Sequence, residues 1–297
     1  MDTVKETLSV PATDGFRLAA TLYRPEGEEE RRPVVLINSA TGVKRAVYDK
    51  FAQYLAAQGL NVLTYDYRGI GESLAGPLRE LKASMQEWGT KDLAGVVDWV
   101  EGRFPGHRLL VVGHSVGGQI VGLTDRNRRI SAMLAVGAQS GYWRHWSGPR
   151  RYALAFLWNV AMPAASGLLG YFPAKRIGFG ENLPGGVARE WARWCRHPDF
   201  IVDEQGQPLR PHFDTFDRPV LGYSFEGDPF APRAAVEALL GFYRNAPKEH
   251  RHVAPADVGV RALGHFLWTK DRFRDSLWEQ MASWLKQQSE AAPQAAA

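Results

Sequence analysis

Four uninterrupted apolar runs alternate with helix-patterned segments in the first half of the chain, and this alternation restricts the fold more than any other feature. The runs are PVVLIN (33–38), LNVLTYD (60–66), RLLVVG (108–113) and ISAMLAV (130–136). Between the first two runs, Tyr48, Phe51 and Leu55 have the i, i+3, i+7 spacing of one helix face. Continuous apolar runs are typical of strands buried on both faces, so the pattern predicts a mostly parallel sheet with helices on both sides.

The remaining segments divide the chain into a core with one insertion. Asp14-Gly15 lies between two β-like runs and predicts an opening antiparallel hairpin. After a long interruption the alternation resumes with a strand at 219–225, a helix at 231–243, a strand at 249–253 and a helix at 273–285. The predicted organisation is therefore a core at 1–140 and 216–288, a mainly helical cap at 141–215 and a disordered tail at 289–297.

The interruption has a composition of its own. It carries five of the ten tryptophans, and residues 152–172 form a stretch of 21 residues without a charge. By length alone this stretch is a transmembrane candidate, but Asn159 and Pro163 within it favour two short helices. We therefore expect a soluble cap over a site, and contact of the cap with a membrane surface stays open as an alternative.

The chemistry is concentrated where the run RLLVVG ends in GHSVG. Ser115 stands between a predicted strand and a predicted helix, with Gly113 and Gly117 two positions away on either side, which matches the G-x-S-x-G nucleophile elbow. Such a turn exposes a serine hydroxyl above the sheet edge, and the N–H of Val116 is a candidate oxyanion donor. The alternative is an ordinary glycine-rich turn that carries an incidental serine.

A serine nucleophile needs a histidine base and an orienting carboxylate, and these follow downstream in the expected order. Asp228 follows the predicted strand 219–225, and His265 follows the last predicted strand. Glu226 is a competing acid. The rival histidines 250 and 252 have the period-2 spacing of a strand, and a metal site is disfavoured because no third ligand with suitable spacing appears.

Further candidates surround this set. The loop NSATG (38–42) follows the first apolar run, and its Ala40 N–H is predicted to be the second oxyanion donor. The cap carries nine Lys and Arg residues against six Asp and Glu residues, which indicates anionic substrates as one hypothesis and a solvated basic face as the other. The predicted substrate-binding residues are Trp143, Trp191, Trp194 and Arg193.

Together these residues resemble the α/β-hydrolase superfamily. The stretch YDYRGIGES (65–73) is similar to its D-x-R-G-x-G-x-S loop, in which Asp66, Arg68 and Ser73 are expected to be structural. Members often have His-Gly where this chain has Asn38-Ser39, so the chain departs from the family pattern in the predicted oxyanion loop. The resemblance is nearest to bacterial hydrolases of the serine aminopeptidase and lysophospholipase branch, and it implies an eight-strand sheet, a cap, a Ser-Asp-His triad and no cofactor.

The predicted function is hydrolysis of an ester or thioester of a small acyl substrate through an acyl-enzyme on Ser115. An acyltransferase with the same intermediate and a binding protein without turnover are the alternatives. A net charge of +4 without a long basic block disfavours nucleic acid. The single Cys195 and the polar start of the chain predict a cytoplasmic location.

Overall fold

Eight strands form one sheet in a computed structural model that describes residues 2–27 and 32–291. In chain order the strands are β1 Thr3–Pro11, β2 Arg17–Pro25, β3 Val34–Asn38, β4 Asn61–Tyr65, β5 Leu109–His114, β6 Ile130–Val136, β7 Tyr171–Phe172, β8 Leu183–Pro184, β9 Val220–Phe225 and β10 Lys248–Val253. The order across the sheet is β1-β2-β4-β3-β5-β6-β9-β10, and β7 pairs with β8 separately. The pairs β1–β2 and β2–β4 are antiparallel, and the other pairs of the eight-stranded sheet are parallel, so the sheet is mostly parallel as the sequence predicts.

Helices cover both faces of the sheet. They are α1 Asp49–Ala57, α2 Met85–Glu87, α3 Ala94–Arg103, α4 Val116–Gln119, α5 Gly148–Phe156, α6 Met162–Leu169, α7 Gly185–Arg196, α8 Arg233–Leu240 and α9 Glu279–Glu290. Wider π-helical turns at Trp88–Leu93 and Leu157–Ala161 join α2 to α3 and α5 to α6.

Strand β3 shows why its residues are apolar without alternation. Val35 and Ile37 belong to the hydrophobic cluster that includes α1 and α9, whereas Val34 and Leu36 belong to the cluster that includes α3 and α8. Because successive side chains point to opposite faces, a strand between two helical layers must be apolar at every position.

Three details differ from the sequence-based expectation. The helix after Ser115 ends at Gln119 and continues as a 3-10 turn to Leu123, since Gly117, Gly118 and Gly122 lower its helix propensity. The last regular helix begins at Glu279, because Asp275 has non-helical φ and ψ of −92° and 18°. Residues 289 and 290 of the predicted tail lie in α9, and residues 292–297 lie outside the described part of the chain.

The segment between β6 and β9, here called the insertion (residues 137–219), contains α5, α6 and α7. Its α5–α6 helix, Gly148–Leu169, is long and apolar enough to cross a membrane by length and composition, although only 17% of its most apolar window is buried. The domain boundaries within this region remain predictions.

The connections bring the candidate residues to one edge of the sheet. Ser115, Asp228 and His265 follow the carboxyl ends of β5, β9 and β10, and Ala40 follows β3. Neighbouring parallel strands end on the same side, and in open α/β sheets that side forms the crevice where ligands bind.

Candidate active site

Ser115 occupies a strained turn between β5 and α4. Its backbone has φ 54° and ψ −118°, a region that L-residues rarely adopt, and its N–H donates to the Val136 carbonyl at 3.0 Å. The flanking glycines permit close packing: a Cβ on Gly117 would lie 2.3 Å from the Asn38 carbonyl oxygen, and one on Gly113 would lie 2.6 Å from the Gly118 nitrogen. Strain of this kind persists only where the surroundings hold it, as at a nucleophile elbow.

His265 and Asp228 form a buried pair. Their side chains meet with His265 Nδ1 2.9 Å from Asp228 Oδ2, and both residues are buried. The other carboxylate oxygen, Oδ1, accepts the backbone N–H groups of Phe230 and Ala231 at 2.8 and 3.1 Å. A carboxylate accepts but does not donate, so Nδ1 carries a proton, and in the neutral imidazole Nε2 is the nitrogen with the lone pair.

The competing residues lie elsewhere. Glu226 is exposed to solvent. His250 Nε2 and His252 Nδ1 both lie within 2.8 Å of the Ser224 hydroxyl on the neighbouring strand β9. Within residues 2–27 and 32–291 there is no cluster of three or more His, Cys, Asp or Glu side chains suited to hold a metal ion.

The Ser115 hydroxyl contacts a residue that sequence reasoning missed. Its Oγ donates to Gln139 Oε1 at 3.4 Å, and Gln139 Nε2 donates to the Phe230 carbonyl at 3.3 Å. Among the described residues, no hydrogen bond joins Ser115 Oγ to His265, although both side chains line one cavity. The position of Gln139 just after β6, at the same sheet edge, is the signal that could have identified it.

His114 lies beneath the site and does not face the cavity. Its Nδ1 is 2.7 Å from the Tyr48 hydroxyl, and its ring centroid is 4.7 Å from that of His265. Burial, together with the neighbouring His265, lowers the pKa of His114 well below its ordinary value, so the ring is neutral. This placement agrees with a role in packing and orienting its neighbours.

The N–H of Ala40, the predicted second oxyanion donor, is hydrogen-bonded to Tyr48. The Ala40 N–H donates to the Tyr48 hydroxyl at 2.9 Å, and the same hydroxyl is hydrogen-bonded to His114 Nδ1 at 2.7 Å. Ala40 is therefore placed beside the cavity as predicted, but its N–H already has an acceptor. The next residue, Thr41, also lines the cavity, and its N–H has no acceptor among the described residues. The N–H of Val116 likewise has none within that part of the chain.

We expect Tyr48→Phe to lower the free energy of unfolding by about 1–3 kcal/mol, because the Ala40 N–H and His114 Nδ1 would lose their partner in a buried site. Urea denaturation measures this change. Tyr54→Phe in α1, the helix that begins directly after Tyr48, is the matched control, since the Tyr54 hydroxyl has no hydrogen bond among the described residues. If the two changes lowered the free energy of unfolding equally, the hydrogen bonds of the Tyr48 hydroxyl would not contribute to stability.

One cavity of about 490 Å³ joins these groups. Ser115, His265 and Gln139 line it on the side of the sheet, and most of the other side chains are apolar. They include Trp146, Leu154, Leu157, Trp158, Phe179, Trp191, Phe230 and Phe266. The buried Cys195 also lines the cavity, and burial raises the pKa of its thiol, so it stays protonated. A small ligand with an apolar portion fits this size and lining.

The predicted substrate contacts are mostly corrected by the structure. Trp191 lines the cavity, but Trp194 is fully buried in the insertion, with its Nε1 donating to the Val202 carbonyl at 2.9 Å. Three residues apart on α7, the two rings lie on neighbouring parts of the helix face, and only one of them reaches the cavity.

Arg193 and Trp143 also lie outside the lining. Arg193 Nη2 pairs with Glu190 Oε1 at 3.1 Å, which neutralises a buried carboxylate. Trp143 lies beneath the guanidinium groups of Arg144 and Arg151, each 5.1 Å from its ring centroid. The basic side chain that does line the cavity is Arg150, whose Nη1 donates to the Pro229 carbonyl at 3.1 Å.

This sheet topology, with a serine on the β5–α4 turn and an Asp–His pair after β9 and β10, is the arrangement that defines an α/β hydrolase. The sequence model of the family described as "Serine aminopeptidase, S33" matches residues 29–175, just under half of the chain. The fold together with this family match supports assignment of the chain to the α/β-hydrolase superfamily. The matched stretch includes Ser115 but ends before Asp228 and His265.

Curated relatives match part of the chain. The quorum-quenching protein AidA of Acinetobacter baumannii is 28% identical over 127 residues, which are 41% of this chain and 40% of that protein. The chain spans 35 to 41% of the length of the curated relatives that it matches.

Solved structures match over nearly the full chain. A hypothetical protein from Pseudomonas aeruginosa superimposes with a TM-score of 0.65 at 16% identity, covering 96% of this chain and 94% of the other. Brefeldin A esterase, a bacterial homologue of human hormone sensitive lipase, gives a TM-score of 0.61 at 18% identity, covering 97% and 78%. At these identities the likeness shows the fold.

Proposed function

We propose that the protein is a serine hydrolase that cleaves ester or thioester bonds of small acyl substrates through an acyl-enzyme on Ser115. The observation that carries the proposal is the buried His265–Asp228 pair, with Nδ1 2.9 Å from Oδ2, in the same cavity as an elbow serine. The family match and the esterase among the similar structures support hydrolysis as the class of reaction.

His265 is the proposed base. Its Nδ1 proton is held by Asp228, so Nε2 is the nitrogen that accepts the Ser115 proton as Oγ attacks the carbonyl carbon. For this step Oγ must give up its 3.4 Å hydrogen bond to Gln139. Nε2–H then protonates the departing alcohol or thiol, and the same nitrogen activates the water that releases the acid.

The proposed oxyanion hole consists of the N–H groups of Val116 and Thr41. Both lack an acceptor among the described residues, and Val116 is the first residue of α4, where N–H groups point outward. Thr41 replaces Ala40 in this role because the Ala40 N–H is engaged by Tyr48. Donors held in place before the reaction stabilise the developing negative charge without reorganisation.

The apolar lining of the cavity favours substrates with an apolar acyl group, which the lining would bind. Leu154, Leu157 and Trp158 of the α5–α6 helix and Trp191 of α7 face the space above Ser115. Burying such a group removes apolar surface from water, at about 25 cal/mol for each Å². Binding energy from the acyl chain can thus hold the carbonyl at the serine.

We expect the purified protein to hydrolyse a series of p-nitrophenyl esters and acyl-CoA thioesters, with kcat/KM rising as the acyl chain lengthens until the cavity is filled. Initial rates for wild type and Ser115→Ala measure this, and the variant should retain only the background rate. A fluorophosphonate probe should label wild type at Ser115, and peptide mass spectrometry locates the label.

Failure to hydrolyse any member of the series, together with the absence of labelling, would contradict the proposal and favour a binding protein. Labelling at another serine would assign the wrong nucleophile. Added alcohols or amines that trap the acyl group in place of water would show a transferase.

A further inference from the structure

The α5–α6 helix exposes an apolar surface that the fold itself does not use. Over its most apolar 18-residue window the mean hydropathy is 1.4, and only 17% of that window is buried. The exposed fractions of Tyr152, Phe156, Val160 and Leu168 are 72%, 61%, 50% and 86%. These four residues recur at intervals of four or eight along the helix and form one stripe, here called the outer stripe. A contiguous exposed apolar surface of this kind marks an interaction site.

The opposite face of the same helix accounts for its packing. Leu154, Leu157 and Trp158 line the cavity, and Met162 and Ser166 are buried. The helix therefore needs only one apolar face to cover the core. The apolarity of the outer stripe has no partner among the described residues.

Charge around the stripe indicates the nature of its partner. Residues 141–180 contain no Asp or Glu and five Lys and Arg residues, of which Lys175 pairs with Glu181 Oε1 at 3.5 Å. Two of these, Arg150 and Arg151, lie at the start of the helix, Lys175 and Arg176 lie just after its end, and Arg144 precedes it. An anionic lipid membrane has an apolar acyl region beneath negatively charged headgroups. Basic side chains at the ends of an apolar stripe complement both parts of such a surface.

We propose that the outer stripe docks on an anionic lipid bilayer, with the α5–α6 helix lying in the plane of the interface. A second copy of the chain fits less well, because a symmetric contact through this face would bring two sets of basic residues together. The helix stays packed on the protein through its buried residues Trp158, Met162 and Ser166. This arrangement is typical of a helix that lies in the membrane interface and not of one that crosses the bilayer.

Docking in this orientation has a consequence for the cavity. Pro149, Arg150 and Ala153 are exposed and also line the cavity, so its opening borders the outer stripe. An apolar acyl group dissolved in the bilayer could enter the cavity without crossing bulk water. The docking itself does not depend on the proposed hydrolase activity, and it can be measured with a protein that does not turn over.

The test is flotation of the full chain carrying Ser115→Ala with two kinds of vesicle, phosphatidylcholine alone and phosphatidylcholine mixed with phosphatidylglycerol. We expect at least tenfold stronger binding to the mixed vesicles at low salt, weakening as salt rises. Adding Phe156→Ser and Leu168→Ser should reduce binding to the mixed vesicles at least tenfold. Lys175→Gln with Arg176→Gln should reduce only the preference for phosphatidylglycerol.

The matched control is Val4→Ser with Val47→Ser, which removes two apolar side chains that are 42% and 40% exposed outside the insertion. It should bind vesicles like the parent protein. Circular dichroism melting checks that all variants are folded, which their exposed positions favour.

Three results would overturn the proposal. The parent protein could fail to float with the mixed vesicles, or the Phe156 and Leu168 changes could have no more effect than the control. Sedimentation velocity could instead show a dimer that these changes dissociate, with no vesicle binding, and the outer stripe would then be a self-association surface. Activity on soluble esters in any of these cases would leave the proposed function standing.

Discussion

Ser115→Ala, His265→Ala and Asp228→Asn are each expected to lower kcat by about 10³-fold or more, with little further loss when they are combined. The effects are not additive because the three side chains perform one proton transfer. Asp228→Asn keeps the shape of the side chain, but an amide can donate to Nδ1 and would favour the wrong tautomer of His265. Steady-state kinetics on the best p-nitrophenyl ester measure each loss.

Glu226→Gln is the matched control for the aspartate. Glu226 lies two residues before Asp228 on the same loop but is exposed, so its change should leave kcat within about twofold of wild type. If Glu226→Gln removed activity while Asp228→Asn retained it, the acid of the triad would be misassigned. If Asp228→Asn and Glu226→Gln were equally harmless, the mechanism would not use a carboxylate at this position.

Gly117→Ala is expected to lower kcat by about 10²-fold or more and the free energy of unfolding by about 1–3 kcal/mol. The added Cβ would lie 2.3 Å from the Asn38 carbonyl oxygen and 2.7 Å from the Asn38 Cβ. Asn38 ends β3, and its Nδ2 donates to the Gly117 carbonyl at 3.0 Å. The added Cβ would therefore push the Ser115 turn away from the proposed oxyanion loop that follows Asn38. Urea denaturation and kinetics on the same preparation separate the two effects.

Gly102→Ala gives the comparison for this change. Gly102 lies near the end of α3, and a Cβ there would meet no atom within 4 Å. Alanine has a higher helix propensity than glycine, so this change should be neutral or stabilising by up to about 1 kcal/mol and leave kcat unaltered. Similar losses from Gly102→Ala and Gly117→Ala would mean that close packing at the elbow is not the cause.

Local pattern alone was sufficient for the framework of this protein. The apolar runs predict the buried strands because a strand between two helical layers must be apolar on both faces, as β3 is. GHSVG predicts the elbow because the required turn tolerates only small residues nearby. Ser115, Asp228 and His265 each follow a strand of the parallel sheet, which predicts one common edge for them, since parallel strands end on the same side.

The partners of particular atoms depend on contacts between residues far apart in the chain. The sequence predicts the Ala40 N–H as an oxyanion donor. In the structure this N–H donates to the hydroxyl of Tyr48, a residue of the next helical segment that also contacts His114. Tryptophan and arginine are common in binding surfaces, which is why Trp194 and Arg193 are predicted substrate contacts. In the structure Trp194 is buried inside the insertion, and Arg193 pairs with Glu190.

The sequence by itself determined the strands, the elbow and the order of the triad candidates, because periodicity and turn chemistry act over a few residues. Only the tertiary structure decided that the Ser115 hydroxyl donates to Gln139, that the Thr41 N–H has no acceptor among the described residues and that Trp191 alone of the four predicted contacts lines the cavity. Hydrogen bonds and close packing depend on ångström-scale distances between elements, and no local pattern specifies those distances.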